Sequence, residues 1–159
     1  MKRIVSVLRL GFLLSIVAAL TLPILAQDKQ AQLQAAIGLW QVIDDKTGKP
    51  NGQVETYLDK GKLYGKITAL RPSRTQDAKC DKCTGELKDK PILGLVFLSG
   101  FSPDNDGWSG GTVVDPENGK TYRGKIKAIG ADKLQLRGYV GIPLLGRTET
   151  WVRLTPPSH

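Results

Sequence analysis

Apolar residues follow two regimes along this chain. From Leu10 to Leu25 they run almost unbroken, relieved only by Gly11, Ser15, Thr21 and Pro23, whereas from Gly38 onward they alternate with polar residues. Alternation at period 2 puts successive side chains on opposite faces of a strand. Leu63, Gly65, Ile67 and Ala69 make one such face; Tyr122, Gly124, Ile126 and Ala128 make a second; Leu134, Leu136, Gly138 and Val140 make a third. The pattern predicts strands over roughly 38–45, 53–59, 62–70, 93–99, 108–114, 120–129, 133–140 and 147–154.

Turn chemistry separates these runs. Lys46-Thr47-Gly48-Lys49-Pro50-Asn51-Gly52 cannot continue a strand, because Pro lacks the ladder donor and Gly invites positive φ. Lys60-Gly61, Asn118-Gly119 and Gly130-Ala131-Asp132 read as hairpin turns, since the first of these conformational demands is tolerance of the left-handed region. Consecutive hairpins imply an up-and-down meander. Residues 71–92 break the rhythm and are expected to cross one end of the sheet. Mid-strand glycines at Gly65, Gly124 and Gly138 suit a strongly bent sheet around a narrow interior. The fold class that follows is all-β: a single closed or nearly closed antiparallel up-and-down barrel of about eight strands.

A Trp on the first strand (Gly38-Leu39-Trp40) and an Arg on the last (Trp151-Val152-Arg153) can meet only if the sheet closes. An Arg over a Trp face contributes about 0.5–2 kcal/mol, so Trp40 and Arg153 are assigned to barrel closure. On the last strand Arg147, Glu149, Trp151 and Arg153 share one face, and Thr148, Thr150, Val152 and Leu154 the other. Burial of Trp151 with its N–H paired favours the first set facing inward. Arg and Glu would then need each other, water or a ligand, because an unpaired buried charge costs several kcal/mol.

The leading 26 residues read as a cleaved signal peptide: Lys2 and Arg3, an apolar stretch, then Ala26 before Gln27. A membrane anchor needs about 20 apolar residues, and Pro23 argues against one. The protein is therefore expected to be exported, to the periplasm or beyond, with 27–37 a linker or short helix, 38–154 the barrel domain and 155–159 a tail. Without the leader there remain 20 basic and 15 acidic residues, a net charge of +5. That balance suits ordinary solubility or attraction to an anionic envelope surface. No dense basic block marks a nucleic-acid face, and none is expected to bind; the expected state is a monomer.

Cys80 and Cys83, in Cys-Asp-Lys-Cys, predict a disulfide in an oxidising compartment, stapling a loop for about 2 kcal/mol. A redox role would need a thioredoxin-like setting, which the flanks do not offer. His159 is the only histidine, so neither a zinc set nor a Ser-His-Asp triad is available, and no metal or cofactor is expected. Ser102-Pro103-Asp104-Asn105-Asp106-Gly107 resembles a calcium loop but lacks both terminal acids, and reads as a polar turn. Gly141-Ile142-Pro143-Leu144-Leu145-Gly146 is an apolar loop, either tucked across a barrel mouth, the favoured reading, or exposed as a contact patch.

The Gly-x-Trp on the first strand and the late Arg resemble those of lipocalins and related calycins. More specifically, Gly38-Leu39-Trp40, Gly61-Lys62-Leu63-Tyr64-Gly65-Lys66-Ile67, the cysteine pair with Lys90-Pro91-Ile92-Leu93-Gly94-Leu95, Trp108-Ser109-Gly110-Gly111, Asp115-Pro116 with Asn118-Gly119-Lys120-Thr121-Tyr122, and Leu145-Gly146-Arg147-Thr148 with Trp151-Val152-Arg153 resemble the domain of unknown function 2147 family of exported bacterial proteins. The resemblance implies a lipocalin-like barrel and no settled activity; it carries over no catalytic residue.

Candidate ligand-binding residues are Tyr57, Tyr64, Trp108, Arg147, Glu149 and Trp151, which could line a pocket for a small polar or anionic ligand. The same residues also describe a filled core with a self-satisfied Arg–Glu pair, the favoured reading of this set from sequence. Glu55 and Glu149 could act as an acid–base pair in sugar hydrolysis only at a suitable separation, which the sequence leaves undefined. The leading expectation is non-catalytic binding of a small molecule. The alternatives are an envelope interaction module touching membrane or cell-wall polymer, and, below it, an envelope hydrolase.

Overall fold

The computed structural model describes residues 17–154, with side chains from residue 26 onward. Residues 1–16 of the expected leader and the 155–159 tail lie outside that range. A helix, α1 (Val17–Gln34), is followed by eight strands: β1 (Gly38–Ile43), β2 (Pro50–Asp59), β3 (Lys62–Ala69), β4 (Val96–Asp104), β5 (Gly107–Val114), β6 (Thr121–Ile129), β7 (Lys133–Tyr139) and β8 (Arg147–Arg153). They pair in chain order, all antiparallel, and β8 returns to β1, so the sheet is a closed up-and-down barrel. Six of the strands lie close to their sequence expectation; β2 starts three residues early, taking Pro50-Asn51-Gly52 of the expected turn into the ladder, with Pro50 at its first position where no donor is needed. β4 starts later than expected and runs on through Ser102 and Pro103, whose partners in β5 are Ser109 and Trp108. The turn there is reduced to Asn105-Asp106, and among the described residues no group of acids and cysteines could hold a metal ion.

Local chemistry explains the turns. Lys60 and Gly61 both adopt positive φ, 49° and 75°, as a two-residue hairpin requires. Between β1 and β2, Asp44 Oδ1 accepts from the Thr47 amide at 2.7 Å and the Thr47 hydroxyl at 2.8 Å, which draws its carboxyl below the usual range. Between β5 and β6, Asp115 accepts from the Glu117 amide and from Asn118 Nδ2, both at 2.8 Å.

The barrel has two unlike ends. The hairpins after β2, β4 and β6 lie at one end, together with the chain leaving α1. The 44–49 turn, the 70–95 segment, the 115–120 turn and the 140–146 loop lie at the other, here termed the mouth. At the closed end α1 supplies a plug: Leu33 and Ala36 are buried, and Leu33 O accepts from Trp108 Nε1 at 3.1 Å. Thr56 Oγ1 links the plug to β1, accepting from Trp40 Nε1 at 2.9 Å and donating to Ala36 O at 2.6 Å. The Arg153 guanidinium lies 4.1 Å from the centre of the Trp40 ring and donates to the carbonyls of Ala35, Ile37 and Ala131. A Cβ on Gly38 would come within 2.3 Å of that guanidinium, which is why the first strand opens on Gly.

Above the plug the interior is filled by Trp40, Leu63, Leu98, Phe101, Ile126, Leu134 and Trp151, all essentially buried. Gly65, Gly111 and Gly124 make room for this layer: a Cβ on Gly111 or Gly124 would collide with the Phe101 ring, and one on Gly65 with Leu98. Gly138, higher on β7, is different. Its Cβ would meet nothing closer than 3.8 Å.

The 70–95 segment builds a second, smaller core beside the mouth from Cys80, Cys83, Ile92 and Leu95, with Val114 and Ile67 shared with the barrel. Cys80 and Cys83 form the disulfide. Arg71 and Arg74 both pair with Glu117, which ties the segment to the β5–β6 turn.

Candidate functional site

Gly138 marks the transition from packed interior to open space. Between the mouthward halves of β4–β8 lies a cavity of about 610 Å³, walled by Phe97, Val113, Tyr122, Leu136, Gly138 and Glu149, with Asp115, Pro116, Asn118, Val140, Leu145 and Arg147 around its rim. The value falls within the range of about 300–1,000 Å³ typical of small-molecule sites. The interior is thus neither wholly filled nor wholly hollow: the closed half is packed and the mouth half is open.

β8 forms the depth axis of this cup. Its inward residues succeed one another by about 7 Å, two strand residues at a time. Arg153 is held in the plug, Trp151 is buried beneath the cavity opposite Leu134, Glu149 lies on the wall opposite Leu136, and Arg147 reaches the rim opposite Gly138. The Trp151 ring has Phe97 as its aromatic neighbour, 6.1 Å away, and its Nε1 points at Glu149 Oε2, 3.4 Å away. The inward face of β8 is therefore the charged and aromatic one.

Glu149 sits in an unusual environment for a carboxylate. Removal from bulk water pushes its pKa up, opposed by the Trp151 N–H and by Arg147, while Asp45 and Asp115 push it further up. The Arg147 guanidinium forms a long ion pair with Glu149 at 3.9 Å, while its hydrogen bonds go to Asp45. Its Nε donates to Asp45 Oδ2 at 3.1 Å, and a second donor reaches Asp45 Oδ1, so the pair forms a two-point clasp across the β1–β2 turn. The clasp lowers the Asp45 pKa and raises that of Arg147. It is largely solvent-exposed.

Three of the sequence-nominated residues lie elsewhere. Tyr57 and Tyr64 are on the outer surface, stacked at 6.0 Å with Lys66 over the Tyr57 ring. Their neighbours Thr56, Leu63 and Gly65 are buried, so period 2 turns the tyrosines outward. Trp108 is buried at the closed end on the plug, and borders a separate hollow of about 190 Å³ with Asp104, Asp106 and Lys125. Trp151 is the floor's support more than its surface. Only Arg147 and Glu149 of the six line the cavity. The acid–base pairing of Glu55 with Glu149 also fails: Glu55 is on the outer face, bridged to Lys66 at 2.9 Å. The 141–146 loop is not tucked across the mouth. Ile142, Leu144 and Leu145 are 56%, 81% and 79% exposed, and Arg137 pins the loop's 3-10 turn at the barrel wall by donating to Pro143 O and Leu144 O.

Residues the sequence did not nominate supply the apolar walls. Tyr122 and Leu136 were already on inward faces by alternation, and only the filling of the other barrel half makes them a cavity lining. Phe97 lies in the expected strand, but register irregularities between β3 and β4 break the alternation there, so Phe97 and Leu98 are both buried.

Residues 38–153 match the family model DUF2147, described as an uncharacterized protein conserved in bacteria. A solved structure of a protein from the human pathogen Helicobacter pylori, described as belonging to the lipocalin family, superposes with a TM-score of 0.65 at 24% sequence identity, covering 76% of this chain and 83% of that one. At that identity the likeness establishes a shared lipocalin-like barrel. No curated protein matches the chain.

Proposed function

The chain belongs to the DUF2147 family and has a lipocalin-like barrel, and from that premise we propose that it binds a small molecule, without chemical conversion, in the mouth half of the barrel. The cavity carries the reading. Its walls are mainly apolar, its polar groups are few and placed, and its far end is closed by a plug rather than open as a channel. The ligand has an apolar body and a polar end, since Phe97, Val113 and Leu136 face Glu149 across the same space. Action in the cell envelope is part of the proposal. An apolar leader ending at Ala26 and a disulfide between Cys80 and Cys83 both suit an exported protein.

Native mass spectrometry of the protein purified from its own host tests this. A reproducible adduct that is lost on denaturation is the expected result. Repeated bare mass, together with no response to a panel of amphipathic small molecules, would refute it.

A second reading is favoured by one observation. Val140, Ile142, Leu144 and Leu145 form an exposed apolar rim at the mouth, which suits contact with a lipid surface. Among the described residues no helix is long and apolar enough to cross a membrane. Sedimentation with anionic vesicles that weakens with salt, and that Leu144→Ser abolishes, is what this reading expects. Equal recovery in the supernatant with and without vesicles would dismiss it.

A further inference from the structure

The carboxylates around the cavity are not equivalent. Asp115 spends its oxygens inside its own turn, on Glu117 and Asn118. Asp45 is held by Arg147. Glu149 keeps open acceptor capacity: a carboxylate has about four lone-pair sites, and its single hydrogen bond is the long contact from Trp151 Nε1 at 3.4 Å. A third of its side-chain surface (34%) remains accessible, and it lines the cavity.

The lining has a sign as well. Its carboxylates are Asp115 and Glu149, and its cation, Arg147, is engaged with Asp45 at the rim. An anionic ligand entering the cup would meet Glu149 on the wall, and the rim guanidinium of Arg147 is already paired with Asp45. The expectation of an anionic ligand thus runs against the arrangement of charge.

Resting on the reading of the cup as a ligand site, we propose that Glu149 anchors the cationic nitrogen of an amphipathic amine whose apolar body lies along Phe97, Val113 and Leu136. Arg147 stands 3.9 Å from Glu149 and makes no hydrogen bond to it; an ammonium group would bring a charge with up to three donors into direct contact, and charge-assisted hydrogen bonds to a carboxylate are the stronger kind. The groups facing Glu149 are Arg147 on its own strand, Asp45 from the β1–β2 turn, Asp115 and Asn118 from the β5–β6 turn, Tyr122 from β6 and Tyr139 from β7. Of these only Arg147 is basic, and it stands 3.9 Å from the carboxylate with its hydrogen bonds made to Asp45.

The test compares octylamine, octanol and octanoate by calorimetry and by the fluorescence of the chain's tryptophans. At neutral pH octylamine is expected to bind about tenfold or more tightly than the other two, the difference one charge-assisted hydrogen bond supplies. Glu149→Gln is expected to keep octanol binding and erase the amine advantage. Independently of any variant, lowering pH through the carboxylate range is expected to erase that advantage in the unmodified protein while octanol binding persists. Octylamine bound no better than octanol, an amine advantage that survives Glu149→Gln or acidification, or a preference for octanoate would overturn the anchor while leaving the cup a ligand site. Failure of all three probes to bind would remove the ligand reading itself, and the anchor with it.

Discussion

Glu149 and Thr56 show how differently two polar residues can sit inside one barrel. Thr56 is fully enclosed and fully used, relaying one hydrogen bond from Trp40 and another to Ala36. Thr56→Val keeps the shape but orphans an indole N–H and a carbonyl, each worth about 1–3 kcal/mol when buried unpaired. A lower urea midpoint with unchanged slope is the expected signature. Glu149 is the reverse, a group whose charge the fold tolerates poorly. Its carboxyl is pushed above the usual range chiefly by burial, so the folded protein holds its proton to higher pH than the unfolded chain. Between those two values the folded state binds more protons, and stability falls as pH rises. Glu149→Gln should therefore raise the melting temperature of the ligand-free protein at neutral pH and flatten its decline above the acid range. A lower melting temperature in the variant would instead mark Glu149 as a structural partner of Trp151.

At the scale of elements, β8 and the end of α1 divide the work. The inward residues of β8 run from the plug to the rim, so one strand carries closure, floor, wall and mouth in sequence. The helix end makes the closed half possible, since Leu33, Ala35, Ala36 and Ile37 give either an apolar side chain or a carbonyl to the barrel's bottom. The 70–95 segment is a separate small unit, with its own core and its own staple. Replacing both Cys80 and Cys83 with Ser should cost about 2 kcal/mol or less, because the closed loop is short. The barrel's near-ultraviolet tryptophan signal should survive that change, and its loss would mean the staple supports more than the loop.

For the whole molecule, the notable property is a barrel filled over one half only. Large side chains from all eight strands and the plug occupy the closed end, while glycine and loops leave the mouth end open. Gly138 offers a direct handle, since a Cβ there has free space. Gly138→Leu should fold as stably as the parent within about 1 kcal/mol and bind small molecules at least tenfold less tightly, by occupying the cup. Undiminished binding in that variant would place the ligand elsewhere.

The barrel itself was legible in the chain: period-2 faces at 63–69, 122–128 and 134–140, hairpin signals between them, and Trp40 and Arg153 at the two ends. These are local properties, set by which residues tolerate a turn and which alternate. Parity placed Arg147, Glu149 and Trp151 on one face, and the preference of Trp151 for burial pointed that face inward. Tyr57, Tyr64 and Trp108 were misplaced because being aromatic does not say which face, or which end, a residue occupies. Whether the interior was hollow depended on quantities no single strand carries: the bulk of Phe101 against Gly111 and Gly124, the reach of the helix end into the barrel, and the empty space beside Gly138. Volume is a sum over all eight strands. Only their closure decided that the packed half ends beneath Glu149, and so turned a residue on a strand into the wall of a cup.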